Sequence, residues 1–163
     1  MRHQQQQEMD IILSASGRKK IEEELERLRT VDRKRVAERI RESKSFGEFS
    51  ENSEYEDAKN EQAFIEGRID ELTAILRHSS VIDDAGIPVD HVGVGSVVRV
   101  RDLGSMDEWE YRLVGPVEAN PAEDAISNES PVGLALMGSR VGDIVEVRVP
   151  AGMARYEVVD IHK

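Results

Sequence analysis

The chain has 163 residues, of which 34% are charged and only 4% are aromatic. This length allows one ordinary domain or two small ones, and so few aromatic side chains argue against a single thick core. The absence of cysteine excludes disulfides and thiolate metal sites. No apolar run approaches a membrane span, and the Gln-rich amino terminus lacks a signal-peptide core. We therefore expect residues 1–10 to be a disordered lead-in and the protein to be cytoplasmic, with no membrane partner.

The charge is distributed unevenly along the chain. The net charge of -11 repels nucleic acid on average, so independent DNA binding is not expected. Residues 27–44 carry eight basic and three acidic side chains, whereas residues 45–71 carry two basic and nine acidic ones. This opposite polarity favours two antiparallel arms that attract each other.

The first arm is predicted to be a long helix. Either Ser14 or Ser16 can cap its start, and neither Pro nor Gly interrupts the segment from Arg18 to Phe46. A helix of about 28 residues would be roughly 42 Å long. Its apolar positions recur near the helical period, at Ile21, Leu25, Leu28, Val36 and Ile40.

The second arm is predicted to begin after a break at Gly47. Ser53 and Glu56 form a capping-box pattern, which starts a helix. Neither helix is expected to be stable alone, so each buries its apolar stripe against the other in an antiparallel coiled-coil hairpin over residues 11–82. The stripe of the second helix follows a heptad spacing, at Tyr55, Ala58, Gln62, Ile65, Ile69, Leu72 and Leu76.

The carboxy-terminal part changes to a period of two. Glycine and proline residues predict a linker over residues 83–94, followed by a small domain over residues 95–163. Ser130 and Pro131 predict a short helix that stops at Gly138. Strands are predicted over residues 96–101, 108–114, 143–149 and 154–161. The expected fold class is therefore α+β, with a helical hairpin and then a four- or five-stranded antiparallel sheet carrying one short helix.

The predicted turn between the arms holds Glu48 and Glu51 three residues apart. Two carboxylates hold Mg²⁺ weakly and would act on it only where another molecule supplied further ligands. A merely solvated acidic loop is the ordinary alternative. The basic first arm is likewise either a solvated face or a guide for RNA. No zinc-type His spacing, nucleophile elbow or phosphate-binding loop is found, and Trp109 with Tyr111 fits a sheet core better than a binding platform.

Two motifs resemble one known family. The segment 46–69, FGEFSENSEYEDAKNEQAFIEGRI, is similar to the tip and second helix of the bacterial Gre transcript cleavage factors. The segment 126–138, ISNESPVGLALMG, resembles the carboxy-terminal I-S-x-x-S-P motif of the same family. The match covers residues 11–163 in compatible order.

The resemblance implies a coiled-coil hairpin followed by an FKBP-like domain. It also implies a mechanism in which the hairpin enters the secondary channel of bacterial RNA polymerase. There, Glu48 and Glu51 would help hold a Mg²⁺ of the polymerase active site, which then cuts the extruded 3′ end of backtracked RNA. The chain would be neither an enzyme nor the owner of a cofactor, and we expect a monomer.

The resemblance assigns further roles. Phe49, Asn52, Ser53 and Tyr55 match positions that shape the tip. We expect Arg41 and Lys44 on the basic arm to contact the extruded RNA. The polymerase-docking surface of the family corresponds to Glu129, Ser130 and Pro131.

One departure from the family tip concerns the acidic pair. The family motif reads G-D-L-x-E-N, whereas this chain has Glu48 at the Asp position and Phe49 at the Leu position. The extra methylene displaces the carboxylate by about 1 Å, and such a displacement can cost on the order of 10²-fold in rate. We expect cleavage stimulation, with reduced potency left open.

Two other functions are alternatives to cleavage stimulation. The first is a Gre-like regulator or inhibitor that occupies the same channel without stimulating cleavage, and the Glu48 change supports it. The second is a prolyl isomerase or chaperone based on the carboxy-terminal domain, which offers few aromatic residues to line a proline pocket.

Overall fold

A computed structural model describes residues 11–45 and 53–163 of the chain. These residues form two compact units. One consists of the described part of residues 18–79, and the other of residues 11–17 together with residues 80–163. The predicted disordered lead-in, residues 1–10, lies outside the described residues. Within the described ranges, no helix combines the length and apolar composition needed to cross a bilayer.

The first unit is a helical hairpin. Helix α1 (Ala15–Arg27) continues through a π-helical segment (Leu28–Asp32) into helix α2 (Arg33–Lys44), and helix α3 (Ser53–Arg77) forms the other arm. The arms are antiparallel because residues early in the first arm meet residues late in the second. The Glu24 carboxylate lies 2.9 Å from Arg68 Nε, whereas Arg39 pairs with Glu54 near the other end.

The two predicted apolar stripes face each other in this hairpin. On the first arm, Ile21, Leu25, Leu28 and Val36 are buried, and Ile40 is half-buried. All seven predicted positions of the second stripe are buried or half-buried, with Ala58, Ile65, Ile69 and Leu72 buried. The predicted pairing of the stripes is confirmed.

The π-helical segment explains an irregular step in the first stripe. Leu28 and Val36 are eight residues apart, and half-buried Asp32 stands between them. Successive four-residue steps overrun the 3.6-residue period of an α-helix. The Arg33 N–H donates to the Leu28 carbonyl five residues earlier. This wider turn absorbs the excess and keeps the stripe on one face.

The second unit is built around a curled sheet. Within the described residues, the sheet has the strand order β5-β4-β3-β7-β6, and a separate two-stranded sheet pairs β1 with β2. The bounds are β1 (Ile11–Ser14), β2 (Ser79–Ile82), β3 (Val97–Asp102), β4 (Glu108–Val114), β5 (Ala125–Ser127), β6 (Ile144–Val149) and β7 (Gly152–His162). Helix α4 spans Pro131–Leu136. The α+β class is confirmed.

The sheet differs from the prediction at one edge. Strands β3, β4, β6 and β7 pair antiparallel as expected, but β5 runs parallel to β4, with Leu113 opposite Ile126. The prediction of a wholly antiparallel sheet is therefore wrong for β5. Two short 3-10 helices, Pro116–Glu118 and Pro121–Glu123, lie in the connection. They carry the chain back, so that β5 starts at the same end of the sheet as β4.

The core of this unit explains why the short segment before β3 is structured. The region predicted as a linker contains a 3-10 helix, Asp84–Gly86, whose Gly86 N–H donates to the Asp83 carboxylate. Val92 is 1% exposed and belongs to the main apolar cluster. The other buried members of the cluster are Val98, Val100, Leu113, Leu136, Val147, Tyr156, Val158 and Ile161. Trp109 and Tyr111 pack against this cluster, as their core interpretation predicts.

Candidate functional site

Inter-helix ion pairs hold the two arms of the hairpin in register. Nε and Nη2 of Arg33 each donate to an oxygen of the Glu66 carboxylate at 2.8 Å. Nε and Nη2 of Arg68 donate to the Glu24 carboxylate at 2.9 and 3.2 Å. Arg29 also donates to the Thr73 hydroxyl across the arms. The attraction expected from the opposite charges of the two arms is confirmed.

Glu61 is the most heavily paired carboxylate of this set. One oxygen accepts from Arg35 at 2.5 Å and the other from Arg39 at 2.7 Å. These two hydrogen bonds hold the pKa of Glu61 below its ordinary value, against a smaller opposing effect of desolvation. The Arg33 hydrogen bond lowers the pKa of Glu66 in the same way. These pairs are partly exposed, so they select the register of the arms more than they add stability.

The pairing divides the basic side chains of the first arm. Arg33, Arg35 and Arg39 are engaged by acidic residues of α3. Arg41 and Lys44, the predicted RNA contacts, are exposed near the end of α2, and neither forms an ion pair with any described residue. Their charge is thus available to an external anion.

The arms end next to the predicted acidic tip. Helix α2 ends at Lys44, and α3 begins at Ser53. The predicted carboxylates Glu48 and Glu51, with Phe49 and Asn52, lie outside the described residues. Ser53 is exposed, and Tyr55 is a half-buried residue of the stripe.

The residues offered for Mg²⁺ fit that ion by the chemistry of their donors. Carboxylate oxygens are hard ligands of the kind it prefers, and protein sites commonly supply only one or two of them. Across residues 11–45 and 53–163, no cluster of three or more metal-ligating side chains is found. Glu48 and Glu51 lie outside these ranges and stay predicted ligands, to be completed by another molecule.

The predicted docking segment is a tightly built loop before α4. The Ser130 hydroxyl donates to the Ser127 carbonyl at 2.6 Å and accepts from the Gly133 N–H at 3.1 Å, which caps the helix as predicted. A Cβ on Gly133 would collide with the Ser127 backbone, so only glycine allows this close approach. The loop leaves Glu129 and Pro131 exposed and Ser130 half-buried.

Sequence reasoning missed one polar cluster in the second unit. The Glu118 carboxylate accepts from the Ser14 N–H at 2.9 Å and from the Ser14 hydroxyl at 2.5 Å. The same hydroxyl accepts from the Gly17 N–H at 3.0 Å in the first turn of α1. We call Ser14, Gly17 and Glu118 the anchor cluster. The cap at Ser14 could be read from the sequence, but its partner is 104 residues away.

The chain is similar to known proteins over most of its length. A family model described as the N-terminal part of transcription elongation factors matches residues 11–81, and one described as the C-terminal part of GreA/GreB matches residues 87–163. The chain is 51% identical over 152 residues to Transcription elongation factor GreA of Clostridium botulinum, covering 93% of this chain and 95% of that one.

Two further relatives extend the comparison. Transcription elongation factor GreA of Thermoanaerobacter pseudethanolicus is 52% identical over 153 residues, covering 94% of this chain and 98% of the relative. The crystal structure of GreA factor homolog 1 (Gfh1) of Thermus thermophilus is matched with a TM-score of 0.45 and 33% identity, covering 95% of this chain and all of that one. The chain therefore belongs to the GreA/GreB family of transcription elongation factors.

Proposed function

We propose that this chain rescues arrested transcription by stimulating the Mg²⁺-dependent cleavage of backtracked RNA by RNA polymerase. The observation that carries this proposal is the antiparallel hairpin. Its first arm ends at Lys44, and its second arm begins at Ser53. The connecting sequence contains Glu48 and Glu51. Helix α3 has 25 residues, which corresponds to about 37 Å of stalk. A stalk of this length can carry carboxylates into a channel that a globular domain cannot enter.

The division of labour follows from the chemistry of the pair. Glu48 and Glu51 orient the attacking water and supply oxygen ligands at the polymerase centre, where Mg²⁺ would activate the water and steady the leaving oxygen. The polymerase and the RNA complete the coordination, so two carboxylates suffice. The ion pairs of the stalk limit the movement of the arms against each other, and this helps to place the carboxylates.

The other predicted contacts involve both units. Arg41 and Lys44, which are exposed and have no ion-pair partner among the described residues, meet the phosphates of the extruded RNA. At the sheet unit, the loop of Glu129, Ser130 and Pro131 docks on the polymerase outside its channel. Its hydrogen bonds to Ser127 and Gly133 keep the loop in one shape, so little conformational entropy is lost on binding.

A stalled, backtracked elongation complex with labelled RNA tests the proposal. Added protein should shorten the transcript from its 3′ end in Mg²⁺. Glu51→Ala should lower the rate by at least on the order of 10²-fold while the variant still binds polymerase. Glu42→Ala removes an exposed carboxylate near the end of α2 that forms no ion pair with any described residue, and it serves as the control. Equal activity of the wild type and Glu51→Ala would refute the tip mechanism.

The same assay separates the second candidate function. Glu48 and Phe49 in place of the family residues favour a channel-occupying regulator that does not promote cleavage. Such a protein would slow elongation and leave the transcript uncut. Under our proposal, Glu48→Asp instead raises the cleavage rate, because it shortens the side chain to the family length. A Glu48→Asp variant that remains unable to promote cleavage would favour the regulator.

A further inference from the structure

One side of α3 faces away from the other arm of the hairpin. Residues two positions beyond each stripe residue lie about 200° around an α-helix, since each residue turns it by about 100°. All of them are exposed. We call this set the outer face of α3, and its members are Asp57, Asn60, Phe64, Gly67, Glu71 and Ala74.

Phe64 is the large apolar residue of this face. It is 72% exposed, although the chain has only three phenylalanines. A single exposed apolar side chain is common in soluble proteins and by itself indicates nothing. Its neighbour on the same face makes Phe64 informative.

That neighbour is Gly67, which lies three residues further along α3 and far from either end of the helix. Glycine within a helix is less favourable than alanine because it restricts the unfolded chain least. A Cβ at Gly67 would meet nothing within 4 Å. At Gly17 and Gly133, by contrast, an added Cβ would collide with atoms of this chain. Nothing in the described structure therefore requires glycine at position 67, whereas a partner approaching the helix backbone closely would.

The remaining sides of α3 are already occupied. Its inner side packs in the hairpin through the apolar stripe, and its flanks hold the ion pairs of Glu61, Glu66 and Arg68. The outer face is apolar at its centre and carries an acidic residue on each side along the helix, Asp57 and Glu71, of which Glu71 is also paired with Arg68 at 3.1 Å. A fitting surface therefore has an apolar pocket for Phe64, a close backbone or small side chain at Gly67, and basic residues at its rim.

A second copy of the chain fits this face poorly. A two-fold contact between two α3 helices would place the same surface on both sides. Asp57 of one copy would then lie near Glu71 of the other, and their like charges would oppose association.

We propose that the outer face of α3 seats on the wall of the RNA polymerase channel, with Phe64 as its anchor and Gly67 as the point of closest approach. This inference rests on the proposed function, because the stalk must enter the channel for the face to meet the wall. Seating one side of the stalk fixes its rotation about its long axis. That rotation decides whether Glu48 and Glu51 face the catalytic centre.

Two variants test the seat by competition binding to core RNA polymerase with a fluorescent wild-type chain. Phe64→Ala should weaken binding about tenfold, as expected for a buried aromatic anchor. Gly67→Ala should raise the melting temperature of the free chain and yet weaken polymerase binding several-fold. A variant that folds better and binds worse cannot be explained by unfolding. Val31→Ala, at a 59% exposed apolar residue of the other arm, should bind like the wild type.

The outcomes separate the two levels of inference. If the wild type binds and promotes cleavage while Phe64→Ala and Gly67→Ala bind equally well, the seat is refuted and the proposed function stands. If the wild type does not bind polymerase, the proposed function fails and the seat fails with it. Sedimentation of the free chain adds a third outcome. A wild-type dimer that Phe64→Ala converts to a monomer would assign the face to a second copy and overturn the proposal.

Discussion

At the residue scale, basic side chains of the same arm differ in what they can bind. Arg35 and Arg39 share Glu61, and this carboxylate offsets part of their charge. Arg41 and Lys44 have no acidic partner among the described residues and stand closest to the end of α2. Two basic side chains without an acidic partner among the described residues therefore lie in the last turn of α2. Under the proposed function, these two charges would attract the phosphates of the extruded RNA.

Arg41→Ala and Lys44→Ala should each lower crosslinking of the chain to the RNA 3′ end in a backtracked complex by several-fold. The reason is the loss of a phosphate contact, so the crosslinking yield of the wild type should also fall more steeply with salt than that of the variants. Lys34→Ala is the control, because Lys34 is equally exposed and unpaired among the described residues. It precedes Arg41 by seven residues and Lys44 by ten, which correspond to about 10 and 15 Å along a helix. Unchanged crosslinking in both variants would reject the RNA role.

At the element scale, the hairpin combines a non-specific apolar stripe with a charge pattern that selects one alignment. Apolar stripes could slide by one heptad and bury similar area. Such a slide would break the pairs of Arg33 with Glu66 and of Arg68 with Glu24, and would place like charges together. Under the proposed function, the alignment decides which residues stand at the end of the stalk.

The stability of the hairpin should depend on pH through Glu61. Its pKa is lower in the folded chain than the ordinary 4.5, chiefly because of the hydrogen bonds from Arg35 and Arg39. The unfolded chain therefore binds more protons as the pH falls below 4.5. The contribution of the carboxylate is complete above that pH and is lost as the pH falls through the lower folded pKa.

Glu61→Gln should accordingly lower the melting temperature at pH 7 by about 2–5 °C. It should also flatten the fall in melting temperature between pH 5 and the acid range, as followed by helical circular dichroism. Glu66, whose pKa is also lowered, keeps some pH dependence in the variant. Glu26→Gln is the control, since Glu26 makes no ion pair with a described residue. A variant with the pH profile of the wild type would show that the Glu61 pairs do not form in solution.

At the scale of the whole molecule, the start of the hairpin helix belongs to the sheet unit. Strand β1 pairs with β2, and α1 follows β1 without a loop. Glu118 binds both the N–H and the hydroxyl of Ser14 at this junction. A Cβ on Gly17 would collide with the Glu118 carboxylate. The anchor cluster thus attaches the first turn of α1 to residues of the sheet unit that are far away in the sequence.

Glu118→Ala should loosen the junction without melting the sheet. The Ser14 and Gly17 amides should exchange with deuterium about tenfold faster, because one loses its acceptor and the other a positioned hydroxyl. Gly17→Ala should give the same pattern, since its Cβ must displace the Glu118 side chain. Amides of β3 and β7 provide the internal reference and should not change. If the Ser14 amide exchanged at the wild-type rate in both variants, the anchor cluster would not stabilise the start of α1.

Much of this fold can be read from local patterns. Both hairpin arms and their buried stripes follow from helical spacing, and strand β4 spans residues 108–114 as predicted. Helix α4 follows its Ser130-Pro131 start, although it ends at Leu136, just short of the predicted stop. The sequence also contains the acidic pair Glu48 and Glu51, whose carboxylate oxygens are ligands of the kind that Mg²⁺ prefers.

Other features have no local signal. Strands β1, β2 and β5 are only three or four residues long, too short for a period to show. The outer face of α3 could be found only after burial was known, because Phe64 in a helical sequence looks like another core residue. Gly67 could be recognised as a candidate contact only after the structure showed that an added Cβ would meet nothing within 4 Å.

The sequence by itself determined the two arms, their opposite charges and the acidic segment between them, because periodicity and charge act over a few neighbouring residues. Only the tertiary structure decided which arginines form ion pairs and which have no acidic partner among the described residues. It also decided that β5 runs parallel to β4 and that Glu118 accepts hydrogen bonds from Ser14. These choices depend on contacts between residues that are distant along the chain. Several partners of the right chemistry compete for each such contact, and only the packed geometry selects among them.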